Sequence, residues 1–295
     1  MKFKFWGVRG SIPSPGSKTV RYGGNTTCIE IRTDANTLII LDGGTGIFSL
    51  AQSLLDQFPI NAHIFITHSH WDHIHGLPFF TPLFIPGNHV HLYGATDPNT
   101  GSGIERVMAA QLQYSFFPVR EAQMKAVITY QRMAEGQQIC VDDACITNAI
   151  MNHPVINFGY RITCNGKSIF FTGDHEEFYN DYSPGDPNYQ SVQSHNQHQQ
   201  QLIDACMDKV DALIVDCSYT REEYPAKKTW GHGTYDSAIQ MALRVGAKHL
   251  YCTHHEPTRS DADLELVFNE VMARYAAQLN GLQVSLAYEG LEVEV

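Results

Sequence analysis

The feature that most constrains this chain is the run His68-Ser69-His70-Trp71-Asp72-His73, set directly after the apolar stretch HIFIT. Imidazole nitrogens and carboxylate oxygens are the usual ligands of catalytic zinc, manganese or iron, which keep an open coordination position. At the end of a strand, the i, i+2 spacing lets His68 and His70 converge on one ion. The turn towards Gly76 then carries Asp72 and His73 to a neighbouring one. A His-rich surface loop is the bland alternative, because the chain holds 15 histidines. Chance, however, rarely arranges them as HxHxDH.

One cluster offers four ligands, whereas a two-metal site takes roughly seven, so further ligands are expected at other strand ends. Asn152-His153-Pro154 follows ITNAIM, Gly173-Asp174-His175 follows SIFF, and Thr253-His254-His255-Glu256-Pro257 follows HLYC. Each places His or Asp just past a strand, where a rigid backbone can hold a ligand over a cleft. Taken singly, His153 or His254 reads as an ordinary partly buried histidine. Beside the first cluster, they read as ligands.

The runs TCIEIRT, TLIILDGG, AHIFITHS, HVHLYG, SIFFTGD, DALIVDCS and HLYCTHHEP have strand composition bounded by turn chemistry. Helical patterns lie between some of them: Gly46 to Gln57, Tyr235 to Val245, and Asp263 to Leu279 with Ser260 or Asp261 as cap. This interleaving predicts one α/β domain with layered sheets over residues 1–295, and no linker suggests a cut. Pro184 to Gln201 is breaker-rich at first and Gln-rich afterwards, and reads as a surface loop, a lid, or the lead-in to a helix near Leu202.

A net charge of −11, from 20 Lys+Arg against 31 Asp+Glu, argues against docking a large nucleic acid. No apolar run approaches the roughly 20 residues of a membrane span, and none forms a signal peptide. A soluble, cytoplasmic protein with no membrane partner is expected. Seven cysteines, an odd number without a CxxC, read as scattered reduced thiols.

The ordered series LDGGTG, HSHWDH, NHP, TGD and THH, from Asp42 to His254, resembles the motifs of metallo-β-lactamase-fold hydrolases. The resemblance implies a four-layer αββα sandwich with two divalent metal ions at one edge between the sheets. Zinc is the first expectation, with manganese and iron as alternatives. It further implies that His68, His70 and His153 hold one ion, that Asp72, His73 and His254 hold the other, and that Asp174 bridges both. Asp42 would steady the site through hydrogen bonds. The family pattern favours His254 over His255 as the ligand. The enzymes that cleave β-lactams carry a cysteine near the bridging position, and Cys164 is not placed for that.

Two ions sharing a water lower its pKa towards neutrality, so a metal-bridging hydroxide can attack without a protein base. The fold alone leaves the scissile bond open. Trp230-Gly231-His232-Gly233-Thr234, after ALIVDCSYT, resembles the GHST-like motif of the phosphodiesterase branch, which includes ribonuclease Z and cyclic-phosphate phosphodiesterases. GVRGS and YGGNTTC also look like that branch's opening motifs. The resemblance implies that His232 contacts the phosphate and helps protonate the leaving alkoxide, which departs poorly otherwise. A plain helix cap is the competing role for His232. Catalytic residues would thus be His232, Asp72 and Asp174.

No basic arm is visible, so a small phosphodiester, a cyclic nucleotide first, is the expected substrate. The alternatives are a lactonase or thioesterase on the same ions, a ribonuclease Z-like RNA 3′-end endonuclease, or a di-iron redox protein. A homodimer is compatible with the sequence. Arg9, Arg21 and Arg259 are candidate phosphate contacts or, equally, surface charges. Aromatics at Tyr114 to Phe117 and at Phe178 to Tyr189 read as core or as a surface that stacks a base, with core the first reading for Tyr114 to Phe117.

Overall fold

The computed structural model describes all 295 residues, Met1–Val295. The elements run β1 (Lys2–Gly7), β2 (Cys28–Arg32), β3 (Leu38–Leu41), α1 (Gly46–Ser53), β4 (Asn61–Phe65), α2 (Trp71–Ile74), β5 (His89–Ala95), α3 (Ile104–Gln111) and β6 (Val127–Met133). They continue with β7 (Gln138–Val141), β8 (Ala144–Met151), β9 (Asn157–Cys164), β10 (Lys167–Phe171), α4 (Tyr189–Met207), β11 (Ala212–Asp216), α5 (Tyr235–Val245), β12 (His249–Thr253), α6 (Asp261–Tyr275), β13 (Gln283–Leu286) and β14 (Glu292–Glu294). Two seven-stranded sheets result, ordered β14-β1-β2-β3-β4-β5-β6 and β13-β12-β11-β10-β9-β8-β7.

Alternation along the strands decides the layering. Ile39 and Leu41 of β3 point into a core shared with Ile162, Phe171 and Ile214 of the other sheet, while Leu38 and Ile40 pack with Ile47 of α1 and Met108 of α3. On β11, Ala212 and Ile214 face the first sheet, and Leu213 and Val215 face Ile239 of α5 and Leu264 of α6. Strands buried on both faces read as unbroken apolar runs, which is why LIIL and ALIV carry no polar residue. The architecture is the four-layer αββα sandwich.

Strand direction brings the chemistry to one edge. β3, β4 and β5 are parallel, as are β10, β11 and β12. β9 runs antiparallel to both β8 and β10, so β8 ends where β10 ends. The segments after β3, β4, β8, β10, β11 and β12 therefore open on the same side, the usual position for a site in α/β sheets.

Several expectations are corrected. The Pro184 to Gln201 segment is largely helix: α4 begins at Tyr189, far ahead of Leu202, and anchors through Ile203 and Met207. α1 stops at Ser53, with a separate turn at Leu55–Gln57. α6 starts at Asp261, where Ser260 and Asp263 form a reciprocal cap, and ends at Tyr275 rather than Leu279. Cys140 and Cys145 form a disulfide, because the tight β7–β8 hairpin sets them directly opposite each other; the other five cysteines are free. Tyr114 and Phe116 are not core but 79% and 74% exposed. No helix is long and apolar enough to cross a membrane.

Candidate metal centre

Asp42 leaves β3 in the left-handed region, φ 61°, which turns its carboxylate across the end of β4. It accepts from the Thr67 amide at 2.7 Å and hydroxyl at 2.9 Å, and from His73 Nδ1 at 2.7 Å. With Nδ1 held, Nε2 of His73 faces Asp72 at 3.3 Å and Asp174 at 3.2 Å. His254 is fixed in the same way: Nδ1 lies 3.0 Å from Ser218 Oγ, and Nε2 lies 3.0 Å from Asp72 Oδ2 and 3.1 Å from Asp174 Oδ1. His153 donates Nδ1 to the Gly231 carbonyl at 2.9 Å and turns Nε2 towards His70 Nδ1 at 3.1 Å. His68 Nε2 sits 3.4 Å from Asp174 Oδ2.

These contacts assemble two overlapping donor sets, each within 4.8 Å: His68, His70, His153 and Asp174, and Asp72, His73, Asp174 and His254. Asp174 belongs to both. All seven residues named from the sequence therefore meet at one place. His255 does not: its Nε2 pairs with the Ala287 carbonyl at 2.8 Å, and burial pushes its pKa down to about 3.

The donor set itself tests whether cations fit. His68 Nε2, His73 Nε2 and Asp174 Oδ1 are buried without a hydrogen-bond partner, an arrangement that costs free energy unless a further group pairs with them. Asp42, Asp72, Asp174 and Asp216 are buried, and none has a Lys or Arg among its partners. Burial opposes ionisation of Asp174, yet His254, His73, His68 and His232 hold its carboxylate well below the usual range. Burial likewise opposes ionisation of Asp72, and His73 and His254 overcome it. Ionised carboxylates, inward-facing imidazole nitrogens, and outer nitrogens tied to Asp42, Gly231 and Ser218 suit divalent cations.

His232 stands beside this centre. Its Nδ1 lies 2.9 Å from Asp216 Oδ2 and 3.7 Å from Asp174 Oδ2. Burial works against its charge, but Asp216 and Asp174 prevail and raise its pKa to about 9. The competing role is excluded, because Thr234 caps α5 by accepting from the Ser237 amide.

Some supporting residues escaped the motif reading. Asp216 ends β11 as Asp42 ends β3, a signal present in DALIVDCS but not taken up; Ser218 donates to it at 2.7 Å. Glu176 accepts from Tyr224 Oη at 2.7 Å and from the Thr229 and Gly231 amides at 2.9 Å, so it ties the β10 exit to the His232 loop. Nothing in DHEE announces this. The Ser11 amide donates to Asp72 at 2.7 Å, and a Cβ on Gly10 would meet the His254 ring at 2.4 Å, which gives GVRGS a physical meaning.

The three arginines are engaged by partners within the protein. Arg9 is fully buried and donates to the Gly23 and Arg259 carbonyls. Arg259 pairs with Glu223 at 2.8 Å, and Arg21 pairs with Asp261 and Glu265.

A sequence profile described as the Beta-lactamase superfamily domain matches residues 37–255. The chain belongs to this superfamily. It is similar to the ribonuclease Z of Trichodesmium erythraeum, 23% identical over all of this chain and 95% of that protein. Among solved structures, the metallo-beta-lactamase fold protein YhfI from Bacillus subtilis superposes with a TM-score of 0.67 at 18% identity, covering 99% of each chain. A diphosphatase from the PhnP family superposes at 0.63 with 21% identity, covering 100% of this chain and 97% of the other. The superfamily member described here is accordingly a hydrolase of the metallo-β-lactamase fold.

Proposed function

We propose that this chain is a binuclear metal-dependent phosphodiesterase acting on a small, cyclic or otherwise compact phosphodiester such as a cyclic nucleotide. His68, His70 and His153 would hold one ion, Asp72, His73 and His254 the other, and Asp174 both. Zinc is the first candidate metal. When bound, the pair supplies a water deprotonated near neutral pH as nucleophile.

The single observation that carries the phosphodiester reading is the His232–Asp216 pair set against Asp174. Asp216 occupies Nδ1, fixes the ring, and favours the protonated form, while Nε2 has no partner within the protein. A cationic imidazole there can bind phosphoryl oxygens and deliver a proton to a leaving alkoxide. Hydrolysis of a thioester, whose thiolate leaves without protonation, has less need of such a group, and a lactone has no phosphoryl oxygens for it to bind. The name of the similar ribonuclease Z points to a phosphodiester bond, and that of the diphosphatase to phosphoryl chemistry more broadly. The full-length likeness to a ribonuclease Z supports a second reading, cleavage near an RNA 3′ end. The net charge of −11 favours the small substrate.

The test is His232→Ala on the metal-loaded protein. Metal content should be unchanged, and kcat should fall by roughly 10² to 10⁴. The loss should be larger for a cyclic nucleotide, which has an alkoxide leaving group, than for bis(p-nitrophenyl) phosphate. Wild-type rates on both substrates, or loss of metal, overturn the assignment. A transfer RNA precursor cleaved faster than either small diester would favour the second reading.

A further inference from the structure

A cavity of about 580 Å³ opens beside the donor cluster, with His68 and His153 in its wall. That is well beyond what a phosphate needs and within the size range of small-ligand pockets. Ile66, Ile104 and Met151, all nearly fully buried, line its floor. Its only charged lining residues are Asp97 and Arg106, and both are engaged by the loop before α3. Asp97 accepts from the Asn99 amide and the Thr100 hydroxyl at 2.8 Å each, and Arg106 donates to Ser102 Oγ at 3.2 Å. The two charges are of opposite sign, so the wall carries no net positive charge to recruit a second phosphate, and apolar side chains supply much of the remaining contact surface. His232 is not in the wall. In an acyclic diester a group seated here is therefore not the one whose oxygen His232 protonates.

We infer that this cavity is a substrate subsite for an uncharged, apolar or aromatic substituent on the retained side of the phosphodiester; the inference rests on the phosphodiesterase reading. The continuity of the cavity with His68 and His153 would place that substituent one ester oxygen from the phosphorus. Selectivity among diesters then arises from α3 and from the β8–β9 connection as well as from the cations.

The test holds the leaving group constant and varies only the retained one, using methyl p-nitrophenyl phosphate and phenyl p-nitrophenyl phosphate. The metal-loaded wild type should prefer the phenyl ester by about 10- to 100-fold in kcat/KM, mostly through KM, as expected for burying an aromatic ring. Ala110→Trp, at an exposed helical position lining the cavity, fills it without touching the core. It should collapse the preference while leaving metal content and kcat on the methyl ester unchanged. Val155→Trp, from the facing loop at a position 40% exposed, should act in the same way. An undiminished preference in both variants, or none in the wild type, overturns the subsite. If neither ester is cleaved, the phosphodiester reading fails. The subsite is then decided by calorimetry, where phenylphosphonate binding no tighter than methylphosphonate overturns it and binding at least 10-fold tighter, lost in Ala110→Trp, upholds it.

Discussion

Replacing Glu176 by Ala removes the acceptor of three hydrogen bonds, from Tyr224 Oη and from the amides of Thr229 and Gly231. Hydrogen bonds to a charged group contribute about 1.5–3 kcal/mol each. Because three on one carboxylate do not add fully, a loss of about 3–5 kcal/mol is expected if the loop stays in place. The alternative to bearing that cost is local opening of the 224–231 segment, which gives its amides back to water. Opening has a chemical consequence, since the Gly231 carbonyl that orients His153 moves with the segment. Glu176→Gln keeps an acceptor oxygen for two donors but sets an NH2 against the third, so its loss should be about 1–3 kcal/mol. Urea unfolding measures the first effect. Limited trypsin digestion measures the second, because Lys227 and Lys228 lie within the segment and should become cleavage sites in Glu176→Ala. Metal analysis should show weakened occupancy of the His68, His70 and His153 set. An Ala variant with wild-type urea midpoint and trypsin resistance would refute the idea that Glu176 holds the loop.

Gly10→Ala should displace His254, because the new methyl meets its ring at 2.4 Å. The protein should keep its fold at a cost of about 1–3 kcal/mol and lose one metal equivalent by elemental analysis; two tightly held equivalents would contradict this. Arg9→Met should lower stability by about 2–4 kcal/mol in denaturant titration, since the Gly23 and Arg259 carbonyls lose their buried donor. KM should not move, and a raised KM would restore Arg9 as a phosphate contact. His63, buried and stacked on His91 at 4.6 Å, has its pKa lowered to about 4, first by burial and then by His91. The unfolded chain binds its proton from about pH 6.5 downwards and the folded chain does not, so stability falls as pH drops from about 6.5 to about 4, by about 3 kcal/mol. His63→Gln should flatten that slope in acid unfolding titrations, and an unchanged slope would assign the acid loss to other groups.

Local chemistry was readable from the chain because a ligand at a strand end carries its own signature: an apolar run of strand length, then His or Asp. His68, His70, Asp72, His73, His153, Asp174 and His254 were legible in this way, as was α5 over Tyr235–Val245 with Gly246 at φ 66° closing it. The two-sided burial of β3 and β11 was also present, in runs with no polar alternation. What pairs across space was not legible. Asp216 reaches His232 across 16 residues and Glu176 reaches Gly231 across 55, because sheet order, rather than sequence distance, sets the β10 and β11 exits beside the His232 loop. Arg9 read as a phosphate contact or a surface charge and became a buried strut, since it donates both to Gly23 and to a carbonyl 250 positions away. The cavity beside His68 likewise exists only where α3 and the β8–β9 connection meet above the sheets. Residue type and strand boundary were enough to name the donors, whereas their convergence, their held nitrogens and the space left beside them were decided by how the two sheets stack.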